Sequence, residues 1–201
     1  MTRKDFYSQT NAAFQYKPQN DTVYSLDLVH ADNLPEKQLN DCFSLIERTS
    51  RDDYEPSSFG WHPRRKLREM KEKEMRYVML TERNITSEAG STRENEFAGF
   101  MSFMFTYDST PPLPVLYIYE IHLVEGARGC GLGKHLMHSA EKIARDFGMK
   151  KVMLTCFKSN KNAYSFYERL GYRIDACSPK DFELRKKVSK SEYVIMSLDL
   201  R

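Results

Sequence analysis

LYIYEIHLVEGARGCGLGKHLMHSAEKIARDF, residues Leu116–Phe147, reads as an apolar strand, a glycine-rich turn and an amphipathic helix in direct succession. The strand spans Val115–Leu123. The helix spans Leu132–Phe147, with Leu132, Leu136, Ala140, Ile143, Ala144 and Phe147 on one stripe and Gly148 at its C-terminal cap. A glycine turn that opens a helix leaves the first backbone N–H groups free to face an anion. Two familiar phosphate loops fail on register. A triphosphate-binding loop needs one more residue than Gly129 to Gly133 provides, and His135 stands where a hydroxyl would hold magnesium. A dinucleotide loop needs GxGxxG, whereas Gly129, Gly131 and Gly133 give GxGxG and no repeated βαβ units precede them.

The flanking chain predicts a mixed sheet. Upstream, Val23–Val29 alternates as a strand, and Pro35–Arg48 carries Leu39, Cys42, Phe43 and Ile46 at helical spacing, with Asp32 or Asn33 as cap. Asp52–Trp61 reads as an acidic and aromatic loop. Pro63–Met75 reads as a charged helix with Leu67 and Met70 inward and its Lys, Arg and Glu residues on a solvated face. Strands at Arg76–Thr81 and Phe97–Tyr107 flank a polar turn, Asn84–Glu96, and the cluster Pro111, Pro112 and Pro114 ends that hairpin. Downstream come a strand at Val152–Phe157, a short helix at Asn160–Leu170, a strand from Tyr172 to Ile174, a basic excursion at Ser178–Ser191 and a closing strand at Tyr193–Leu200. The expected class is α/β, a mixed, mostly antiparallel sheet with helices on both faces. Residues 1–20 form an expected N-terminal arm and residues 21–201 a single domain.

Composition excludes more than it assigns. Hydrophobic residues make up 40% of the 201 residues, enough for a packed core. The net charge of +3, from 31 basic and 28 acidic residues, is too even to argue for nucleic acid. Cys42, Cys130, Cys156 and Cys177 lack the spacing of a zinc site, and no metal is expected; free thiols in a reducing compartment fit best. No apolar run reaches the length of a membrane helix and Met1–Asn20 holds no signal-peptide core, so a soluble intracellular protein is expected.

Arg128-x-x-Gly131-x-Gly133, after a strand and before a helix, resembles the R/Q-x-x-G-x-G/A signature of the GCN5-related N-acetyltransferase superfamily. The resemblance implies that the GNAT fold, with a splayed strand pair, holds the pyrophosphate of acetyl-CoA on the amides of this turn. A second element, Asn160-x-x-Ala163-x-x-x-Tyr167, matches the superfamily's pantetheine-binding asparagine, small alanine and thiol-facing tyrosine. Asn160 also reads as a helix cap, and Tyr167 as either a core aromatic or a proton donor. Further stretches, YEPSSFGW (Tyr54–Trp61), VLYIYEIHL (Val115–Leu123), RGCGLGK (Arg128–Lys134), KKVMLTCFKSNKNAY (Lys150–Tyr164) and SEY (Ser191–Tyr193), resemble the NatD type of histone-specific N-terminal acetyltransferases.

That second resemblance implies acetylation of the α-amine of the H-four and H-two-A histones, which begin Ser-Gly-Arg-Gly. It implies Glu120 as the catalytic carboxylate. It places Tyr54, Phe59, Asp108, Tyr117, Tyr119, Thr155 and Tyr193 at the peptide, and Ile121, His122, Leu123, Arg128, Gly129, Cys130, Gly131, Leu132, Gly133, Lys134 and Asn160 at the cofactor. Phe59 stands where the family suggests tryptophan, and Thr110 where a second acid would flank Asp108; Asp52, Asp53 or Glu55 can complete an acidic clamp on the substrate arginine. It further implies histone tails as partners, a monomer without membrane or nucleic-acid partners, and a nuclear and cytoplasmic location.

An α-amine of pKa near ~8 must lose a proton before it attacks a thioester. Glu120, directly or through water, is the candidate base, with a pKa expected to be raised by an apolar pocket. A backbone N–H of Ile121–Leu123 can meet the developing oxyanion, and Tyr167 the leaving thiol. Strict alternation sets Glu120 on the opposite face from Tyr117, Tyr119 and Ile121, so either a bulge turns the carboxylate or the pocket wraps the strand end. Lysine side chains, polyamines or other small amines are the rival acceptors, and a chromatin interaction module through Pro63–Met75 the non-enzymatic rival.

Overall fold

The computed structural model of the chain describes residues 15–18, 22–83, 96–108, 111–184 and 187–200. The polar turn expected at 84–96 (Glu96 excepted), Thr110 and most of the expected arm lie outside them. Ten strands are described: β1 (Gln15–Tyr16), β2 (Val23–His30), β3 (Arg76–Arg83), β4 (Glu96–Asp108), β5 (Leu113–Leu123), β6 (Lys151–Phe157), β7 (Arg173–Ile174), β8 (Phe182–Leu184), β9 (Lys187–Ser189) and β10 (Tyr193–Asp199). The helices are α1 (Glu36–Tyr54), α2 (Pro63–Met70), α3 (Leu132–Asp146) and α4 (Lys161–Arg169).

Eight strands form one sheet in the order β1-β2-β3-β4-β5-β6-β10-β7, and β8 with β9 forms a separate hairpin within the Ser178–Ser191 excursion. The β5–β6 pairing is parallel and the others in the sheet are antiparallel. Alternation sorts the core into two layers. Val78, Leu80, Met101, Phe103, Leu116 and Ile118 pack with Leu136, Ala140 and Ile143 of α3 on one face. Tyr77, Met79 and Phe100 pack with Leu39, Cys42, Leu45 and Ile46 of α1 and Met70 of α2 on the other. The α/β fold with helices on both faces is the expected one.

Several boundaries differ from the sequence reading. The first helix runs on to Tyr54, so Asp52–Tyr54 are helical rather than part of a loop. Arg51 pairs with Glu47 and Glu55, and the Tyr54 ring packs on Trp61 and Phe157, which holds turns of weak helix propensity. Asp32 and Asn33 lie in a short 3₁₀ turn, and the N-cap position falls on Pro35 without a side-chain bond. The second helix stops at Met70, whose carbonyl accepts from the Tyr77 hydroxyl at 2.6 Å. Lys66 of that helix is buried while Leu67 is only half-buried, against the expected solvated face. Pro114 lies inside β5 near its start, where its carbonyl still accepts from the Lys150 N–H.

Two irregularities position the site. Ser102 of β4 faces Glu120 while Phe103 faces Ile118, so β5 carries one extra residue, Tyr119, as a bulge. Residues Leu116 and Ile118 before the bulge and Ile121 and Leu123 after it therefore share the α3 face. Tyr119, Glu120 and His122 are directed to the α1–α2 face. The second irregularity is a splay. Pairing of β5 with β6 ends at Ile118 opposite Leu154, whereas β5 continues along β4 to Leu123 and β6 along β10 to Phe157. Leu136 is fully buried in the layer beneath this opening. Leu136→Ala is expected to lower the unfolding free energy by about 2–5 kcal/mol, read as a reduced midpoint in urea denaturation. A change below about 1 kcal/mol would contradict its place in the core.

Candidate active site

The splay opens a cavity of about 780 Å³ that reaches through the sheet. On the α1–α2 side it is lined by Thr49, Asp53, Tyr54, Phe59, Lys66, Glu69, Tyr117, Tyr119, Glu120, His122 and Thr155. On the α3–α4 side it is lined by Arg128, Gly129, Gly131, Gly133, Lys134, Asn160, Ala163, Phe166 and Tyr167.

Glu120 is the centre of the first half. Its side chain is 7% exposed, and Oε1 accepts from Lys66 Nζ at 2.8 Å and from the Tyr54 hydroxyl at 3.2 Å. Oε2 lies 2.6 Å from His122 Nε2. Lys66 Nζ places its donors on Glu120, on Glu69 Oε1 at 2.6 Å and on Tyr54 Oη at 3.0 Å, and lies 4.8 Å from the Tyr54 ring centre. A buried ion pair of this kind repays its desolvation only when the charged atoms are hydrogen-bonded, which both are here. Burial pushes the Glu120 carboxyl up, but the Lys66 ammonium and the His122 contact outweigh it and hold the group at about 2. The raised value expected from an apolar pocket is thus reversed, because the pocket brings its own cation. Burial works against the Lys66 ammonium as well, and the Glu120 carboxylate foremost holds it above the usual lysine range.

Aromatic rings close this half. Tyr54 meets Phe59, Trp61 and Phe157 edge-on with centroids 4.9–6.4 Å apart. Tyr117 and Tyr119 lie 5.5 Å apart, and Tyr117 Oη is 2.6 Å from Thr155 Oγ1. Tyr193 is not a lining residue; its ring packs on Phe59 at 4.9 Å, as support behind the wall. Asp108 is also not brought to the cavity. It ends β4 beside Asp175 and Cys177, with Lys151 Nζ at 3.7 Å from its carboxylate and 2.8 Å from that of Asp175. Lysine is the counter-ion there. The acids that line the cavity are Asp53, Glu69 and Glu120; Asp52 is exposed, and Glu55 is tied to Arg51.

The other half is built by the glycine turn. Gly129 and Gly131 have φ of 75° and 89°, a left-handed conformation that side chains resist, and Gly131 is the N-cap residue of α3. A Cβ on Gly131 would overlap Tyr16, whose hydroxyl donates to the Cys130 carbonyl at 2.6 Å. The arm residue Tyr16 thus braces the turn. Arg128 donates from Nε to the Leu123 carbonyl at 3.0 Å. Cys130 and Leu132 do not line the cavity: the Cys130 thiol donates to the Ala127 carbonyl, and Leu132 is core. Asn160 caps α4 by accepting from the Ala163 N–H at 3.0 Å, and its amide approaches Asp53 at 3.5 Å. Tyr167 is buried at the floor, and burial keeps its phenol protonated well above neutral pH. Ile121 and Leu123 present apolar side chains to the α3 face.

Sequence reasoning missed Lys66, Thr49 and Glu69 as site residues, and offered Asp53 only as one of three acids for the clamp. Lys66 was hidden in a run of charges whose periodicity looks solvated throughout. The available signal was its position one turn from Met70 on a short helix that follows the aromatic stretch Phe59–Trp61.

Folding depresses the Glu120 carboxyl from 4.5 to about 2, so its contribution to stability is present above pH 4.5 and is lost as pH falls through about 2. Glu120→Gln is therefore expected to flatten the stability–pH curve between pH 4.5 and 2, measured by urea denaturation at stepped pH. An unchanged slope in the variant would argue against a depressed Glu120.

The sequence profile of the acetyltransferase (GNAT) family matches residues 43–172. The N-alpha-acetyltransferase 40 of Saccharomyces cerevisiae is 28% identical, over 82% of this chain and 64% of that protein, so the chain spans less than two thirds of this relative's length. Among solved structures, a GNAT-family acetyltransferase of Listeria monocytogenes matches with a TM-score of 0.55 at 16% identity, over 92% of this chain and 99% of that one. A GNAT-family acetyltransferase of Elizabethkingia anophelis with acetyl-CoA bound matches with a TM-score of 0.53 at 13% identity, over 88% and 98%. With the family profile spanning the splayed strands, the glycine turn and α4, the chain belongs to the acetyltransferase (GNAT) family.

Proposed function

We propose that the protein transfers the acetyl group of acetyl-CoA to the α-amine of protein N-termini of the Ser-Gly-Arg-Gly type, as found on H-four and H-two-A histones. The observation that carries this reading is the through-sheet cavity. A carboxylate and four hydroxyl side chains (Tyr54, Tyr117, Tyr119 and Thr155) stand on one side of the splay, and a helix N-terminus stands on the other. Support comes from the name of the yeast relative, an N-alpha-acetyltransferase, and from the acetyl-CoA in a structural neighbour.

The glycine turn fits a pyrophosphate. Open space surrounds Gly129 where a side chain would stand, Gly131, Gly133 and Lys134 at the start of α3 line the cavity, and Arg128 and Lys134 add charge. Gly129, Gly131, Gly133, Lys134 and Asn160 would hold the cofactor, which supplies an activated acyl thioester. At the acceptor side the cavity disfavours a second ammonium, because Lys66 already lines it. An α-amine, with a pKa near ~8 against ~10.4 for lysine, loses its proton at lower cost there. Tyr54, Tyr119 and Thr155 hydroxyls bond the amide and Oγ of the first residue, and such polar recognition rejects substrates that lack those groups. Asp53 and Glu69 line the cavity and supply negative charge for the arginine at the third position, whereas Asp108 lies outside the lining, beside Lys151. Glu120 receives the amine's proton, and Tyr167 protonates the departing sulfur.

Mass spectrometry after incubation with acetyl-CoA is expected to find acetyl on the serine α-nitrogen of a Ser-Gly-Arg-Gly peptide and none on its N-terminally blocked twin, even where the twin carries lysine. Modification of the blocked peptide would favour the lysine or small-amine reading. Glu120→Gln is expected to lower kcat by about 100-fold or more while the Kd for acetyl-CoA stays within about twofold. Wild-type kcat in that variant would remove Glu120 from the base role.

A further inference from the structure

The cavity-lining residues Thr49 and His122 are left over by this mechanism, and they form a chain with Glu120. Thr49 Oγ1 lies 2.7 Å from the Leu45 carbonyl and 2.7 Å from His122 Nδ1, and His122 Nε2 lies 2.6 Å from Glu120 Oε2. Three contacts of this length need three hydrogens. The threonine hydroxyl brings one and a neutral imidazole brings one. With Glu120 as carboxylate, the chain is one hydrogen short. If Thr49 donates to Leu45, then Nδ1–H donates to Thr49, and Nε2 faces a carboxylate oxygen with no hydrogen between them. If Nε2–H donates to Glu120, then Thr49 has one hydrogen for two acceptors.

We propose that this Thr49–His122–Glu120 chain is the proton store of the reaction, with His122 as the positioning residue that lets Glu120 act as a base despite its ion pair with Lys66. The inference rests on the acetyl-transfer reading above. An isolated carboxylate held that low is a poor proton acceptor. A proton delivered to Glu120 Oε2 passes to the adjacent Nε2 and completes the chain, so all three contacts become hydrogen bonds and Glu120 remains the counter-ion of Lys66. As the nitrogen–carbonyl carbon bond forms, the amine proton goes to Glu120 and on to His122. The carbon–sulfur bond breaks with its electron pair on sulfur, which takes a proton from Tyr167 or water. Release of the stored proton to solvent resets the chain, and Tyr167, where it has protonated the sulfur, recovers one proton from solvent, so no net proton is gained or lost. One amine and one thioester give one amide and one thiol.

Among the described residues, the charged and titratable groups that share this side of the cavity wall with His122 are Tyr117, Tyr119 and Glu120 on β5, Lys66 and Glu69 on α2, and Asp53 and Tyr54 on α1; the Phe100 ring of β4 lies 5.6 Å away. His122 is 9% exposed and lies in the cavity wall, so a stored proton has a path to solvent when product leaves.

His122→Gln keeps a donor for Glu120 and cannot hold an additional proton. Its kcat is expected to fall about 10- to 100-fold with KM for acetyl-CoA within about twofold, and the acid-side fall of kcat to move by about one pH unit or more. Wild-type kcat with a wild-type acid limb would overturn the proton store. Should that variant fail to fold, Thr49→Val decides: a loss of kcat of about threefold or more at unchanged KM supports the chain, and wild-type kcat overturns it. The assay follows thiol release with whichever amine the wild-type enzyme accepts. Rejection of the N-terminal peptide in favour of another amine would thus defeat the proposed substrate while His122 is still tested.

Discussion

A carboxylate and an ammonium buried against each other, Glu120 and Lys66 at 2.8 Å, set the terms for the rest of this site. Neither can be removed from water alone, and truncating either leaves the other charge stranded. The surrounding structure is arranged so that it does not. Helix α2 follows its aromatic lead-in Phe59–Trp61 and ends where Tyr77 takes the Met70 carbonyl, which directs Lys66 inward. Tyr54 and Glu69 absorb the remaining donors of the ammonium, and His122 takes the second carboxylate oxygen.

The bulge at Tyr119 makes this pairing geometrically possible. In a regular strand Glu120 would point to the α3 layer, among Leu116, Ile118 and Leu136, where an unpaired carboxylate is not tolerated. One added residue turns Glu120 and His122 to the α1–α2 layer and brings Ile121 and Leu123 to the apolar α3 layer. The same part of β5 departs from β6, so the re-aimed carboxylate borders the opening through which the glycine turn is reached. The carboxylate and the glycine turn thus border one cavity from opposite faces of the sheet.

The elements whose burial follows a strict period were legible from sequence: β5, α3, β6 and the glycine turn were placed within a few residues. What was not legible depended on tertiary partners. The six residues of polar helix beyond Arg48, up to Tyr54, are held by ring packing on Phe157 and Trp61, which no local pattern encodes. The direction of Glu120 depended on a single inserted residue, visible beforehand only as a conflict between alternation and chemistry. Lys66 was unreadable because burying one lysine among six bases leaves the periodicity of a charge run almost unchanged. For Asp108 a motif fixes a residue's place in the chain but not its surroundings, and here it ends β4 beside Lys151, Asp175 and Cys177, outside the cavity lining.

The central claim is that Glu120 receives an α-amine from the α1–α2 side while the cofactor enters from the α3 side. A crystal structure with a bisubstrate ligand, CoA joined through an acetyl link to the α-nitrogen of Ser-Gly-Arg-Gly, tests it most directly. The α-nitrogen is predicted to lie about 2.6–3.2 Å from Glu120 or one water away, with the pyrophosphate on the amides of Gly129–Lys134 and the arginine toward Asp53 and Glu69. A ligand whose nitrogen sits on the α3 side, with Glu120 and its bound water out of reach, would contradict the account.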